Sequence, residues 1–340
     1  MSFRRAIGGA AAVLFGFGCV VAATTAEAKP LIVYVSPNPI GVNDFLKLGK
    51  TGIEAAARAV GAEARTYESS DPTTQKQNLE AAARQGAKVV VAVGFEFNDL
   101  VPPVAAQHPA VTFLMVDTCV PTPGPNVYCA GFREYEPSFL AGAEAALTSG
   151  TGKVGAISAI DIPFLRRFTV GFQEGAAYAK PGVTVLPTLW VGGSNPFSDP
   201  ARGEQRGAAM LSDGADRVFA AGAGSNGGIF KAMKETPGAL AIGVDVNQCP
   251  QAPGYVLDNV EKHTDKAIEA SVAGIFRGDQ PHFASFGLKE GGLTLTGLRP
   301  DAAQSQCLIV KRPEVIAKLR DIAAKIEDGT IRLADPMMAK

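Results

Sequence analysis

The feature that most constrains this chain is a strand-then-helix rhythm that runs twice along its 340 residues. Short apolar runs rich in branched residues, such as Leu31–Val35 and Lys88–Val93, alternate with amphipathic patterns of about 10 to 15 residues. Strands that alternate with helices in this way form right-handed βαβ units and parallel sheets. The sequence therefore predicts an α/β fold.

The middle of the chain, Val127–Ala177, is predicted to join two such units. Val127–Gly131 reads as the last strand of the first unit, and Lys153–Ala159 reads as the first strand of the second. Polar and aromatic residues follow both strands, and open α/β sheets bind ligands at the carboxyl ends of their strands. We expect a two-lobed binding protein whose cleft includes these corners.

The length suits two Rossmann-like lobes, each with its own core, better than one. The segment after Tyr255 is too short for a third lobe, so we expect it to cross back and complete both. The predicted N-terminal lobe comprises residues 29–132 plus about 258–285. The predicted C-terminal lobe comprises residues 133–257 plus about 286–340.

The N-terminus has the pattern of a secretory signal peptide over residues 1–28. Arg4 and Arg5 precede an apolar run, Ala6–Ala23, and Ala26–Ala28 supplies small residues for cleavage. A membrane anchor and lipid attachment at Cys19 are the alternatives, but the run is short and the residues before Cys19 make a poor lipobox. The prediction is export to the periplasm.

Composition and motif content argue against several function classes. The net charge of −1 gives no electrostatic reason to expect nucleic acid or anionic lipid as a partner. The sequence offers no Ser–His–Asp set and no cluster of metal ligands. We therefore expect no catalytic residues, no metal and no cofactor.

The cysteines indicate disulfide bonds. After cleavage four remain, and an even number in an oxidising compartment favours disulfides, with three pairings possible. Cys119 and Cys129 flank a loop rich in Pro and Gly, so a local bridge between them is easy to close, which leaves Cys249 and Cys307 as the second pair. Zinc is the rival interpretation, but the spacing lacks any C-x2-C pair.

A glycine loop resembles a dinucleotide-binding motif. Gly222, Gly224 and Gly227 spell G-x-G-x-x-G between a predicted strand and helix, and Asp245 ends the next strand. Export and the absence of a hydride-transfer set weigh against NAD. We expect the loop, with Gly224 and Asn226, to bring backbone N–H groups close to a ligand. A tight strand–helix turn without a ligand is the alternative.

A further group of motifs extends over nearly the whole mature chain in a specific order and spacing. Together they resemble the basic membrane protein (Bmp/PnrA-like) family of ABC-transporter substrate-binding proteins. The motifs are Gly94-Phe95-Glu96-Phe97, Phe132-Arg133-Glu134, Phe139-Leu140-Ala141-Gly142, Asp161-Ile162-Pro163, Arg167-Phe168, Gly171-Phe172, Asp199-Pro200-Ala201-Arg202-Gly203, the turn Gly224–Gly227, Gly243-Val244-Asp245 and Gly287–Gly292.

The resemblance implies a type I periplasmic-binding-protein fold, with three crossings between the lobes and a ligand buried between them. Many family members bind purine nucleosides, so the implied partners are a nucleoside-like ligand, an ABC permease and its ATPase, with the protein as a monomer. Two chain segments depart from the usual family motifs, Asp44-Phe45-Leu46 and Asn259–His263. A different small metabolite, or a secreted nucleoside-acting enzyme, is therefore the alternative.

The resemblance also implies roles for particular residues. Aromatic rings from the two lobes would sandwich a base, and carboxylates with a lysine would hold the ribose. Further candidates are polar and aromatic residues near the predicted strand ends. The complete set of predicted ligand-binding residues is Asn43, Asp44, Phe45, Phe95, Phe97, Asp117, Asp161, Phe168, Trp190, Phe197, Gly224, Asn226, Asp245 and Lys262.

Overall fold

A computed structural model describes residues 1–3 and 28–338. Most of the predicted signal peptide, including Cys19 and its lipidation alternative, lies outside the described residues. Within the described part, no helix is both long enough and apolar enough to cross a membrane.

The first sheet has six strands in the order β12-β5-β4-β3-β1-β2, and every neighbouring pair is parallel. β1, β3 and β4 are almost entirely buried, as their runs of branched residues predict. The strands are β1 (Leu31–Ser36), β2 (Glu63–Glu68), β3 (Val89–Val93), β4 (Thr112–Val116), β5 (Val127–Phe132) and β12 (Phe283–Phe286).

The second sheet runs in the order β13-β11-β10-β9-β6-β7, with β8 paired to β6 and only β13 antiparallel to its neighbour among these strands. Residues 184–190 form two short strands rather than one continuous strand. The strands are β6 (Lys153–Ser158), β7 (Thr184–Val185), β8 (Leu189–Trp190), β9 (Arg217–Ala221), β10 (Leu240–Asp245), β11 (Val256–Lys262) and β13 (Leu293–Leu295).

The helices begin and end at residues suited to those positions. Asn43 caps the first helix and Gly61 ends it in the left-handed conformation, while Asp71 forms a capping box with Thr74. The helices are α1 (Asp44–Val60), α2 (Pro72–Arg84), α3 (Val101–Gln107), α4 (Tyr135–Thr148), α5 (Pro163–Ala179), α6 (Pro200–Ser212), α7 (Asn226–Glu235), α8 (Thr264–Arg277) and α9 (Pro313–Glu327).

Each sheet has its own hydrophobic core. In the first body, α1 and α8 cover one face of the sheet and α2 and α3 cover the other. In the second body, a single large cluster joins the sheet to the helices around it, including α4, α5 and α9. The predicted α/β class with helix-flanked parallel sheets is confirmed. We call the two bodies the first and second lobes.

The chain passes between the two sheets three times, after Phe132, after Lys262 and between Phe286 and Leu293. β11 stays in the second sheet as far as Lys262, so this crossing comes a few residues later than the predicted boundary near 258. The last residue of β10, Asp245, pairs with Glu261, and β11 continues to Lys262 through its pairing with β13. The division of the chain into lobes that move independently stays a prediction.

Both favoured cysteine pairs are bonded. Cys119 joins Cys129 with an S–S distance of 2.02 Å, and Cys249 joins Cys307 with an S–S distance of 1.99 Å. The second bond connects two points in the second lobe that are separated by 58 positions. The intervening chain includes α8 and β12, which belong to the first lobe.

Candidate ligand-binding cleft

A cavity of about 630 Å³, including its mouth, lies where the two lobes meet. Its lining is mainly apolar with a few convergent polar groups, as is usual for small-molecule sites. Residues from both lobes line it: Pro37, Asn38, Asn43, Phe45, Leu46, Gly94, Phe95, Glu96, Asp117, Phe164, Leu165, Phe168, Phe197, Ala221, Ala223, Val244, Asp245 and Lys262.

The fold places these residues together because parallel strands end at the same edge of a sheet. β1, β3 and β4 of the first lobe end at this cavity, and so do β9, β10 and β11 of the second. The chain turns into loops and helix starts at these strand ends, where side chains are free to face a ligand.

Phenylalanine rings form much of the wall. The ring centre of Phe95, from the first lobe, lies 6.4 Å from that of Phe164 and 6.2 Å from that of Phe197, both from the second lobe. Phe164 also meets Phe168 edge to face at 6.4 Å. These separations are within the range of favourable aromatic pairs. The two lobes therefore touch through aromatic surfaces that a planar ligand can share.

Lys262 lies at the floor of the cavity and connects the lobes. Its ammonium group contacts the carboxylate of Asp117 and donates to Glu134 Oε1 at 2.7 Å. The ammonium nitrogen also lies 4.7 Å from the ring centre of Phe132 and 5.3 Å from that of Phe45. Both distances are short enough for cation–π attraction.

Arg167 also contacts Glu134, the carboxylate that Lys262 binds. Its guanidinium lies 3.5 Å from Glu134 Oε2, donates to the Phe132 carbonyl at 3.1 Å and pairs with Asp335 near the C-terminus. Burial is the largest influence on Lys262 and would lower its pKa, but Asp117 and Glu134 outweigh it and raise that pKa. Lys262 is therefore charged throughout the physiological range.

Two other cavity carboxyls have no such partner. Among the described residues, no other residue donates a hydrogen bond to the side chain of Asp245 or of Glu96. Burial raises the pKa of Asp245 to about 7, with Lys262 opposing the shift. Burial also raises the pKa of Glu96 to about 7, reinforced by Asp117. Both side chains are placed to accept hydrogen bonds from a ligand.

Asp117 and Asp245 occupy equivalent places in the two lobes. Asp117 directly follows β4 and Asp245 is the last residue of β10, and both have left-handed backbone, with φ of 80° and 71°. Non-glycine residues adopt this conformation rarely, and when they do they cluster at functional sites. The structure thus aims one aspartate from each lobe at the cleft.

Eight of the predicted site residues line this cavity. They contribute the aromatic walls, the lysine and the two strand-end aspartates. They are Asn43, Phe45, Phe95, Asp117, Phe168, Phe197, Asp245 and Lys262.

Asp44 instead lies at the mouth of the cleft. Its carboxylate pairs with Lys47 at 2.9 Å and accepts a hydrogen bond from the Gln251 amide, in the opposite lobe, at 3.0 Å. The contact connects the two lobes at the mouth of the cleft, so Asp44 is placed to affect closure. Asp44 lies outside the cavity lining.

Three other predicted residues also lie outside the lining. Phe97 is completely buried in the core of the first lobe. Asp161 is exposed and pairs with Arg166 at 3.1 Å. Trp190 is half-buried at the end of β8. The sequence pattern put each of them near a strand end but did not show which way the side chain faces.

The glycine loop acts mainly as a structural turn. A Cβ at Gly224 would lie 2.9 Å from the Phe197 carbonyl oxygen, so the loop packs against the segment that carries Phe197. Asn226 is buried, accepts from the Gly222 N–H at 2.9 Å and donates to Ala220. Of this loop only Ala223, with φ of 50°, reaches the cavity.

Several lining residues were absent from the sequence prediction, and Glu96 and Phe164 are the most informative of them. Glu96 is a charged residue between two phenylalanines at the end of a strand, and Phe164 follows the proline that starts α5. Their places in the sequence, at a strand end and directly after the first residue of a helix, were the signals from which these two lining residues could have been predicted. Within the described chain, no group of three or more His, Cys, Asp or Glu side chains is arranged to hold a metal ion.

The chain is similar in sequence to known proteins. Residues 29–326 match the family model described as Bmp, ABC transporter substrate-binding protein PnrA-like. A CD4+ T-cell-stimulating antigen of Listeria monocytogenes is 28% identical over 326 residues, which cover 91% of this chain and 89% of that protein. The ABC transporter nucleoside-binding protein BmpA of Lactococcus lactis is 31% identical over 189 residues, which cover 54% of this chain and 52% of that protein.

Solved structures have the same fold. A solute-binding protein of an ABC transporter system from Aeropyrum pernix K1 superposes with a TM-score of 0.79 at 24% identity, covering 91% of this chain and 94% of that one. One from Conexibacter woesei has a TM-score of 0.67 at 20% identity, covering 90% and 99%. With the family match over 29–326, these findings lead to one conclusion: the chain belongs to the Bmp family of PnrA-like ABC transporter substrate-binding proteins.

Proposed function

We propose that this protein is the periplasmic receptor of an ABC importer and that it binds a purine nucleoside or a similar small polar heterocycle. The observation that carries the proposal is the cavity between the lobes, which combines phenylalanine walls with a charged floor. The ligand would be held by both lobes, so binding would favour the closed arrangement over the open one.

The walls suit a flat aromatic base. Phe45 and Phe95 of the first lobe and Phe197 of the second face the same cavity. A planar heterocycle stacked on such rings gains both buried area and ring–ring attraction, which adds about 0.5 to 1.5 kcal/mol beyond burial. Purines and pyrimidines meet this requirement.

The floor suits a sugar with adjacent hydroxyl groups. Asp117 and Asp245 accept hydrogen bonds, and Lys262 donates them. Hydrogen bonds to charged groups contribute about 1.5 to 3 kcal/mol each, and an unpaired buried group costs about 1 to 3 kcal/mol. A ribose would thereby be distinguished from an apolar group of the same size.

Partners and location follow from the family. The Lactococcus relative is named as a nucleoside-binding protein, which supports the ligand class. A permease and its ATPase would receive the ligand. Both disulfide bonds suit an oxidising compartment such as the periplasm. We propose binding without chemical turnover, so a bound nucleoside should be recovered unchanged by chromatography.

A thermal-shift screen of nucleosides, free bases, sugars and amino acids tests the ligand class. A nucleoside present at 100 times its dissociation constant should stabilise the protein by about 2.7 kcal/mol. Phe197→Ala should weaken this shift, because it removes one wall of the cavity. Phe283→Ala, at an exposed position outside the cavity, is the matched control and should leave the shift unchanged. Stabilisation by sugars or amino acids but by no nucleoside would overturn the proposed ligand class.

A further inference from the structure

Glu96 is held at the cavity by a short, anchored turn. The turn Phe95–Phe97 directly follows β3 and Gly94, and the fully buried Phe97 fixes it to the core of the first lobe. Phe95 faces the second lobe and contacts Phe164 and Phe197. Glu96, between them, lines the cavity. The anchor on one side and the wall on the other place the backbone of Glu96 at the cavity.

The backbone next to Glu96 leaves space for its carboxyl group. Gly94 has φ of 113°, and a Cβ there would lie 2.5 Å from Glu96 Oε2 and 3.4 Å from Pro37 Cγ. Any side chain at position 94 would therefore displace the carboxyl. The carboxyl of Glu96 therefore lies directly against the backbone of Gly94 at the cavity wall.

The cavity supplies no cation for this carboxyl. Of the described residues that line it, Lys262 alone carries a positive charge, and its ammonium is already bound by Asp117 and Glu134. Burial raises the pKa of Glu96 to about 7, its own backbone N–H opposes the shift and Asp117 reinforces it, so a carboxylate without a donor from another residue is costly here. A ligand that brings N–H donors to this point removes that cost.

We propose that Glu96 determines specificity by selecting heterocycles with an exocyclic amino group over their oxo counterparts. This inference rests on the proposed function and narrows its ligand class. An amino group donates to a carboxylate, as in protein contacts with the cytosine amino group. An oxo group at the same place brings a second acceptor against the carboxylate oxygens, so the contact becomes repulsive.

Calorimetric titrations at pH 8, where the carboxylate predominates, test the inference with two matched pairs, adenosine against inosine and cytidine against uridine. The wild-type protein should bind the amino member of at least one pair about 10- to 100-fold more tightly, the factor expected for one hydrogen bond to a charged group. In Glu96→Gln, whose amide also donates, the preference should fall to about threefold or less. Asp161→Asn, an exposed carboxyl outside the lining, is the control and should keep the wild-type preference.

The outcomes separate this inference from the proposed function. Binding of amino and oxo nucleosides with equal affinity, or an unchanged preference in Glu96→Gln, overturns the role of Glu96 and leaves nucleoside binding in place. If no nucleoside binds, adenine against hypoxanthine provides the test. Tighter binding of adenine than of hypoxanthine then supports the role of Glu96 in recognising the base alone. If neither base binds, the role of Glu96 is overturned together with the proposed ligand class. If Glu96→Gln does not fold, the wild-type preferences decide alone.

Discussion

Two glutamates, one directly before α4 and one within it, are both completely buried, yet their surroundings differ. Glu134 directly precedes α4 and faces Lys262 and Arg167. Glu144, within α4, faces Asp258 in the core of the second lobe, and neither of its carboxyl oxygens has a hydrogen-bond partner among the described residues. One site holds acids with cations, and the other brings two acids together.

The difference shows two ways of burying a carboxyl group. At the cleft, burial raises the pKa of Glu134, and the neighbouring cations Lys262 and Arg167 oppose that rise. In the core, burial raises the pKa of Asp258 to about 7, and the backbone N–H groups of Asn259 and Gly297, which donate to it at 2.8 and 2.9 Å, oppose the shift. Burial, and then Asp258, raise the pKa of Glu144 well above its ordinary value. Glu144 therefore holds a proton where Glu134 has a lysine.

Removing the cation should have the largest effect. Lys262→Met leaves Asp117 and Glu134 buried and facing each other, and loss of one partner from a buried ion pair costs about 3 to 5 kcal/mol. The urea midpoint at pH 7 should fall accordingly. Lys266→Met is the control, because Lys266 is exposed and pairs with Glu269 at the surface, and it should change stability by less than about 1 kcal/mol. Equal effects of the two substitutions would contradict the comparison.

Replacing the buried carboxyl of Glu144 should raise the stability of the protein, whereas replacing Lys262 should lower it. A carboxyl with a raised pKa holds its proton more tightly in the folded state, so its contribution to stability is present below the unfolded pKa and is lost as pH rises toward the folded one. Glu144→Gln removes the titrating carboxyl, and with it this loss of stability at high pH. The glutamine side-chain amide can also donate to Asp258. The variant should be similar to wild type at pH 5 and more stable than wild type at pH 9.

Urea unfolding at both pH values measures this change. Glu54→Gln, an exposed glutamate on α1, serves as the control and should follow the wild-type pH dependence. A Glu144→Gln protein that is less stable than wild type at pH 9 would show that the glutamate makes a favourable charged interaction instead.

Asp245 is a third case, a buried acid that has neither a full ion pair nor a donor among the described residues. Its pKa is about 7, so its contribution to the stability of the ligand-free protein is lost as pH rises from about 4 to 7. Asp245→Asn should stabilise the free protein at pH 8 by up to about 4 kcal/mol, because each pKa unit corresponds to about 1.4 kcal/mol. The same change should weaken ligand binding, because it removes a charged acceptor.

Urea unfolding without ligand, and titration with the best nucleoside found in the screen, give the two measurements. Asparagine tolerates the left-handed backbone at this position, so strain adds little. Tighter binding by Asp245→Asn would contradict the proposed contact.

The smallest effect should come from the exposed ion pair at the crossings between the lobes. Arg133 pairs with Glu136 at 2.6 Å and with Glu290, whose side chain is 39% exposed. Solvent screens the second pair, so Glu290→Gln should cost less than about 1 kcal/mol, and less still in 0.5 M salt. Urea midpoints at two salt concentrations measure this. A loss as large as that of Lys262→Met would show that the crossing, rather than the floor of the cleft, carries the main stabilising charge.

The sequence predicted most of the fold because the relevant signals are local. Branched apolar runs marked β1 and β3. The signal was weakest over 184–189, where the edge of the sheet holds only short, irregular pairs. Which lobe β11 joins was equally hard to predict, because sheet partnership depends on contacts distant in sequence.

The site was predicted in part for the same reason. A strand end can be recognised in sequence, so Asp117 and Asp245 were found, but the direction of a side chain in a turn cannot. Phe95 and Phe97 are two residues apart in one turn, yet only Phe95 faces the cavity. Glu96 was missed because a charged residue at a loop is ordinarily solvated, and only the folded turn shows its carboxyl at the cavity wall.

The bond between Cys249 and Cys307 has a practical consequence for the intact molecule. The chain that it encloses leaves the second lobe, builds α8 and β12 of the first and returns. A protease that cleaves once anywhere in this excursion produces two polypeptides that stay covalently joined, so the nicked receptor migrates as one species on a denaturing gel until a reductant is added. Nicking there would thus be invisible to a size assay run under oxidising conditions.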